Sequence, residues 1–140
     1  IEQVEARLSE AALAQAGRGR SAFIYDSGDA VPYSIGCCGG PGLLVETVGL
    51  TNIAGDLEGR WVDLAWEAVV AADPDVIVLI EADWSSAAEK REYMEADPVL
   101  SELSAVQAGR FVTIPFSQTV LGMQFADGLD NLSAQLDALN

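Results

Sequence analysis

The segment Trp61 to Ile80, WVDLAWEAVVAADPDVIVLI, limits the possible folds more than any other part of the chain. Leu64, Ala68, Val69 and Ala72 recur at helical spacing, with Asp63 and Glu67 near the positive amino-terminal end, so the first half reads as a short amphipathic helix. Pro74 cannot extend that helix and biases Asp73 toward extended backbone. Val76 to Ile80 then shows no polar alternation, which fits a strand buried on both faces. Such a strand is the middle of a parallel sheet covered by helices on each side. The expected class is α/β.

The rest of the sequence repeats the alternation of helix and strand. Val4, Leu8, Ala11, Ala12 and Gln15 hold helical intervals up to Gly17, and Ala22 to Tyr25 reads as a short strand ended by the turn cluster Asp26-Ser27-Gly28-Asp29. A glycine-rich loop fills 30 to 42. Leu43, Leu44, Val45 and Val48 then suggest a helix stopping at Gly49, with a brief strand at Asn52 to Ala54. After Ile80, the cluster Glu81-Ala82-Asp83-Trp84 ends the strand, and Ser85 caps a helix through Ala88, Tyr93 and Met94 that stops before Asp97-Pro98. A turn at Val99 to Leu103 and a strand at Phe111 to Pro115 follow. Phe125, Leu129, Leu132, Leu136 and Leu139 mark a terminal helix. The predicted architecture is a three-layer wound sandwich, a mostly parallel sheet with helices on both faces, a Rossmann-like lobe. Ligands of such sheets sit beyond the carboxyl ends of the strands.

Composition removes whole classes of function. With 22 acidic and 7 basic residues the net charge is −15, and a surface of that sign repels nucleic acid. Arg7, Arg18, Arg20, Arg60, Lys90, Arg91 and Arg110 are scattered and form no basic stripe. The chain has no histidine, so His-ligated zinc, Ser-His-Asp and Cys-His chemistry are absent from this segment. No apolar run approaches the roughly 20 residues of a bilayer helix, so any membrane attachment is expected outside this segment. The first residues begin inside a helical pattern with no secretory signal, as if cut from something longer.

Few motifs point to chemistry. Cys37 and Cys38 lie in the loop SIGCCGGPG, where they are either two small loop residues or, in an exported protein, an adjacent-cysteine disulfide; further soft ligands for a metal are missing nearby. That loop is neither a Walker loop, which requires a lysine, nor a Rossmann fingerprint, since about ten residues separate Tyr25 from the cluster. The carboxylates Asp26/Asp29 and Glu81/Asp83 fit turn chemistry and also a Mg²⁺ or acid-base pair. Tyr33, Trp84 and Phe116 each follow a predicted strand end, where they suit a small organic ligand.

Val48-Gly49-Leu50-Thr51-Asn52-Ile53-Ala54, Trp66-Glu67 through Asp73-Pro74-Asp75-Val76-Ile77-Val78-Leu79, and Leu103 to Val112 with Ile114-Pro115 together resemble the C-terminal lobe of the class III substrate-binding proteins of ABC importers, the iron-siderophore and cobalamin binding family. One departure is Ala65, where that family commonly has a capping serine; Asp63 is the expected substitute. The resemblance implies that residues 1–16 are the end of the helix joining two lobes, that 17–140 are the C-terminal lobe, and that an N-terminal lobe is missing. It implies a periplasmic or cell-surface lipoprotein that holds a ligand between lobes for an ABC permease, with no catalysis and no cofactor of its own. Tyr33, Trp84, Phe116, Ser117 and Met123 are the expected ligand-binding residues, and Glu46 and Glu58 are surface candidates for permease docking.

Lacking histidine, the lobe would take iron already wrapped in a chelator, with cobalamin, heme or an anionic cofactor precursor also open. The acidic field favours neutral or cationic chelates such as hydroxamates over a tricatecholate unless Arg60 or Arg110 reaches the cleft. The alternatives are a pure interaction module and a Mg²⁺-dependent receiver-like or enzymatic domain using Asp26 and Asp83. A receiver also needs a lysine at a strand end, and Lys90 falls within a helix.

Overall fold

A computed structural model of the chain describes residues 19–28, 31–36, 40–59, 61–83, 85–118 and 125–138. In chain order the elements are β1 (Ser21–Tyr25), β2 (Tyr33–Ile35), α1 (Gly40–Thr47), β3 (Thr51–Asn52), β4 (Trp61–Asp63), α2 (Trp66–Ala72), β5 (Val76–Glu81), α3 (Ala87–Ala96), a 3₁₀ turn at Leu100–Glu102, α4 (Ser104–Ala108), β6 (Phe111–Pro115), a second 3₁₀ turn at Phe116–Gln118, and α5 (Phe125–Ala138). The main sheet runs β3-β1-β5-β6 and every pairing in it is parallel. β2 and β4 form a separate antiparallel pair. The α/β class and the parallel sheet are as the sequence indicates. The helix expected over residues 2 to 16, and with it the boundary at 16/17, lies outside the described residues.

β5 explains the layering. Its side chains alternate, so Val76, Val78 and Ile80 join Ala22, Ile24, Val112 and Ile114 in one core under α1 and α5. Ile77 and Leu79 face the other way, with Phe23, Tyr25, Val69, Met94, Leu100 and Val106, under α2, α3 and α4. All five residues from Val76 to Ile80 are at most 2% exposed, as a strand covered on both sides requires. Burying each such aliphatic side chain contributes about 1.5–3 kcal/mol.

Local structure departs from the sequence-based expectations in several places. Trp61 to Asp63 is a strand and not the first turn of a helix: Ser34 and Ile35 of β2 pair with Val62 and Trp61, and α2 begins only at Trp66. Its N-cap is Ala65, in extended backbone with no side-chain cap, so Asp63 does not cap it. Ala68 and Ala72 are exposed, and Val69 alone in α2 is buried.

Asp73 is left-handed, at φ 42° and ψ 67°, not extended. Three bonds hold it there: its N–H donates to Val69 O at 3.0 Å, closing the helix, and its carboxylate accepts from the backbone N of Ser104 at 3.1 Å and from Ser104 Oγ at 2.9 Å. Aspartate is among the few non-glycine residues that tolerate this conformation. Finally, the cap of α3 is Ser86, whose Oγ accepts from Glu89 N at 3.1 Å, while Ser85 exchanges backbone bonds with Ala82. The brief strand expected at 52–54 falls at Thr51–Asn52, and the helix through Leu43 to Val48 spans Gly40–Thr47.

Candidate functional site

The carboxyl ends of β1, β5 and β6 lie side by side because the strands are parallel and adjacent. Beyond β1 the chain reverses: Gly28 takes φ 89°, and a Cβ there would collide with Val31 O. Asp26 N then donates to Tyr33 O at 2.9 Å and Tyr33 N to Ser27 O at 2.7 Å, which folds β2 back over the end of β1. Ser34, fully buried, ties β2 down by donating from Oγ to Ile24 O at 2.6 Å. Asn52 fixes the far end of β2 by donating from Nδ2 to Ile35 O at 3.0 Å. Gly36 must lack a side chain, since a Cβ would lie 2.5 Å from Gly59 O.

This scaffold aligns three aromatic rings. Tyr33 stacks on Trp61 with centroids 6.0 Å apart and planes 24° from parallel, and Trp61 stacks on Phe116 at 5.8 Å and 21°. Trp61 and Phe116 rest on the core under α1 and α5, while Tyr33 remains 37% exposed at the outer end of the row. Next to Phe116, a cavity of 350 Å³ opens between the ends of β5 and β6, lined by Glu81, Ala82, Asp83, Pro115, Phe116 and Ser117. One wall is apolar and the other carries two carboxylates, an arrangement suited to a ligand with a broad apolar surface and neutral or positive polar groups. A roomier cavity of 470 Å³ lies between α2 and the 97–100 turn, lined by Trp66, Val70, Val99 and Leu100 among others, and shares no residue with the strand-end loops.

Tyr33, Phe116 and Ser117 of the sequence-derived set therefore gather at one edge, whereas Trp84 and Met123 lie outside the described residues, as do Arg60, Cys37, Cys38 and Asp29. Arg110 is at the opposite edge, where its Nε donates to Asp75 O at 2.7 Å, before β5 begins. Glu46 and Glu58 are exposed. Trp61 carries no signal of this edge in the sequence, where its apolar spacing reads as helix and its neighbours Tyr33 and Phe116 are far away.

Asp26 and Lys90 are the buried charged residues beneath this edge, at 6% and 3% exposure. Asp26 Oδ2 accepts from Ser27 Oγ at 3.0 Å, and Oδ1 has no partner. Burial pushes its carboxyl above the usual range, against the opposing pull of the Ser27 bond and the Lys90 charge. Lys90 belongs to α3 as expected, yet its ammonium reaches back to the end of β5, donating to Ile80 O at 2.6 Å and Ser85 O at 2.7 Å. Its signal in the sequence is its spacing: Ala87, Lys90 and Met94 share the buried face of the helix. Among the described residues no group of three metal-ligating side chains comes together.

A family model described as a periplasmic binding protein matches residues 1–118. The chain belongs to that family. A periplasmic binding protein from Veillonella parvula is 23% identical with a TM-score of 0.81, over 98% of this chain and 50% of its own. The ABC-type Fe3+-hydroxamate transport system from Saccharomonospora viridis is 25% identical with a TM-score of 0.81, over 96% and 47%. The periplasmic vitamin B12 binding protein of Vibrio cholerae is 20% identical with a TM-score of 0.77, over 96% and 51%. The chain thus spans about half the length of the periplasmic binding proteins it matches. No curated protein matches it in sequence. The resemblance carried by residues 48–54, 66–79 and 103–115 agrees with this family.

Proposed function

We propose that this chain is the C-terminal lobe of an extracytoplasmic solute-binding protein that holds an iron-siderophore or related metal chelate against a second lobe and delivers it to an ABC permease. The observation that carries this reading is the row Tyr33, Trp61 and Phe116, standing beyond the carboxyl ends of a parallel sheet in a periplasmic binding protein. Stacked rings offer a rigid apolar wall to the organic shell of a chelate, and Glu81 and Asp83 across the cavity disfavour an anionic one. Hydroxamates and other neutral or cationic chelates fit that balance better than tricatecholates. In this reading the lobe binds its ligand and carries out no catalysis of its own. Attachment to the membrane is through an anchor outside this segment, and Glu46 and Glu58 are exposed carboxylates available to a basic permease surface.

Calorimetric titration of the full-length protein with a ferric hydroxamate, a ferric catecholate, cobalamin and heme tests this. One of them, the hydroxamate first, is expected to bind in the micromolar range or tighter. Trp61→Ala should weaken it by roughly threefold to tenfold, the equivalent of one lost aromatic stack. Binding of Mg²⁺ with none of the four chelates would replace this function by the receiver-like alternative on Asp26 and Asp83.

A further inference from the structure

Lys90 is the chain's single lysine, and its side chain is withdrawn from water where an aliphatic residue would pack beside Ala87 and Met94. Burying an ammonium is unfavourable unless every part of it is compensated, and desolvation does pull this one below its ordinary pKa. The compensation is specific. The two carbonyls it binds, Ile80 O and Ser85 O, bracket the Glu81–Ser85 loop, so the ammonium closes that loop across its base. Ala82 and Ser85 also exchange backbone bonds at 3.1 and 3.2 Å, and Glu81 Oε1 accepts from Ala87 N at 3.1 Å. The carboxylates acting on Lys90 come from three elements: Asp26 from the end of β1, Glu81 from the end of β5 and Glu89 from α3 itself. Asp26 in turn leads into the turn that carries Tyr33.

We propose that Lys90 is a positioning residue for ligand binding: its buried ammonium clamps the Glu81–Ser85 loop to the end of β5. The loop supplies Glu81, Ala82 and Asp83 to the cavity beside Phe116, so its shape is the shape of one wall of the site. Hydrogen bonds from a charged donor are stronger than neutral ones and fix the direction of both carbonyls, which an aliphatic side chain of equal volume cannot do. The binding consequence rests on the function proposed above; the clamp itself does not.

The test uses the full-length protein and amide hydrogen exchange by NMR. In Lys90→Met, exchange at Ala82, Ser85 and Ala87 should accelerate at least tenfold relative to Ile77 to Leu79 in the centre of the sheet, and the affinity for whichever chelate the wild type binds should fall about tenfold. Met94→Ala, a packing defect on the same helix face, should leave that loop-to-sheet ratio and the affinity as in wild type. Loop amides in Lys90→Met that keep the wild-type ratio, or a Met94→Ala protein that reproduces its pattern, overturn the clamp. Should Lys90→Met fail to fold, the wild-type Nζ signal decides: protons exchanging far more slowly than those of an exposed lysine support it, and exchange as fast as at the surface refutes it. A wild type that binds no chelate removes the proposed function, and the exchange ratio still judges the clamp.

Discussion

Asp26 is the residue whose charge sits least easily in this protein. Burial raises its folded pKa above that of the unfolded chain, so the folded state holds the proton more tightly. The group therefore favours folding at low pH, and that contribution is lost as pH rises through the raised pKa. In Asp26→Asn the dependence disappears while the amide oxygen still accepts from Ser27. Measured by urea unfolding, the stability of wild type relative to Asp26→Asn should fall as pH rises from about 4 to about 7. A difference that stays flat would mean that the carboxyl is not desolvated in solution. Individual residues of this kind were only half visible in the sequence. In the sequence Asp26 fits turn chemistry or a Mg²⁺ ligand, since nothing local reveals that the turn is covered by β2. Lys90 lies on a helix as its sequence context indicates, but the length of its side chain carries the ammonium to a strand end that helix membership alone does not reveal.

At the scale of elements, legibility followed length and burial. β5 and α5 were plain because a strand covered on two faces and a 14-residue amphipathic helix each impose their period on every residue. Leu129, Leu132 and Leu136 are fully buried on one stripe of α5. Leu132→Ala should cost about 2–5 kcal/mol, lowering the urea midpoint at unchanged slope, while Ala134→Ser on the exposed face should stay within about 0.5 kcal/mol. An equal effect at the two positions would place the stripe wrongly. β2 and β4 leave little pattern because each has three residues and they pair with each other across the α1 and β3 segment. Apolar spacing across Trp61 to Ala72 then merged a strand and a helix into one helix. The aromatic row inherits this blindness, since it is built on that small sheet.

The whole molecule carries a net charge of −15, more than its fold needs. Such a surplus raises the energy of the compact state through self-repulsion, which salt screens as the Debye length drops from about 30 Å at 0.01 M to about 8 Å at 0.15 M. The melting temperature of the chain should rise over that range in sodium chloride, followed by calorimetry. A fall would mean that favourable ion pairs outweigh the repulsion; the pair Arg91–Glu95, 3.4 Å apart and half-exposed, is too weak to reverse the trend. The chain spans about half the length of its structural relatives.

The sequence by itself determined the class of the protein: alternating helix and strand with an apolar central strand admits a parallel α/β sandwich, and the absence of histidine and the acidic surplus exclude much else. It also determined the edge at which to look, because parallel strands end together and their connecting loops gather there. Tertiary structure alone decided which side chains meet at that edge. Tyr33, Trp61 and Phe116 are 28 and 55 residues apart. Their meeting depends on strand order and on a three-residue strand pair, long-range pairings that leave no period in the chain for a local pattern to reveal.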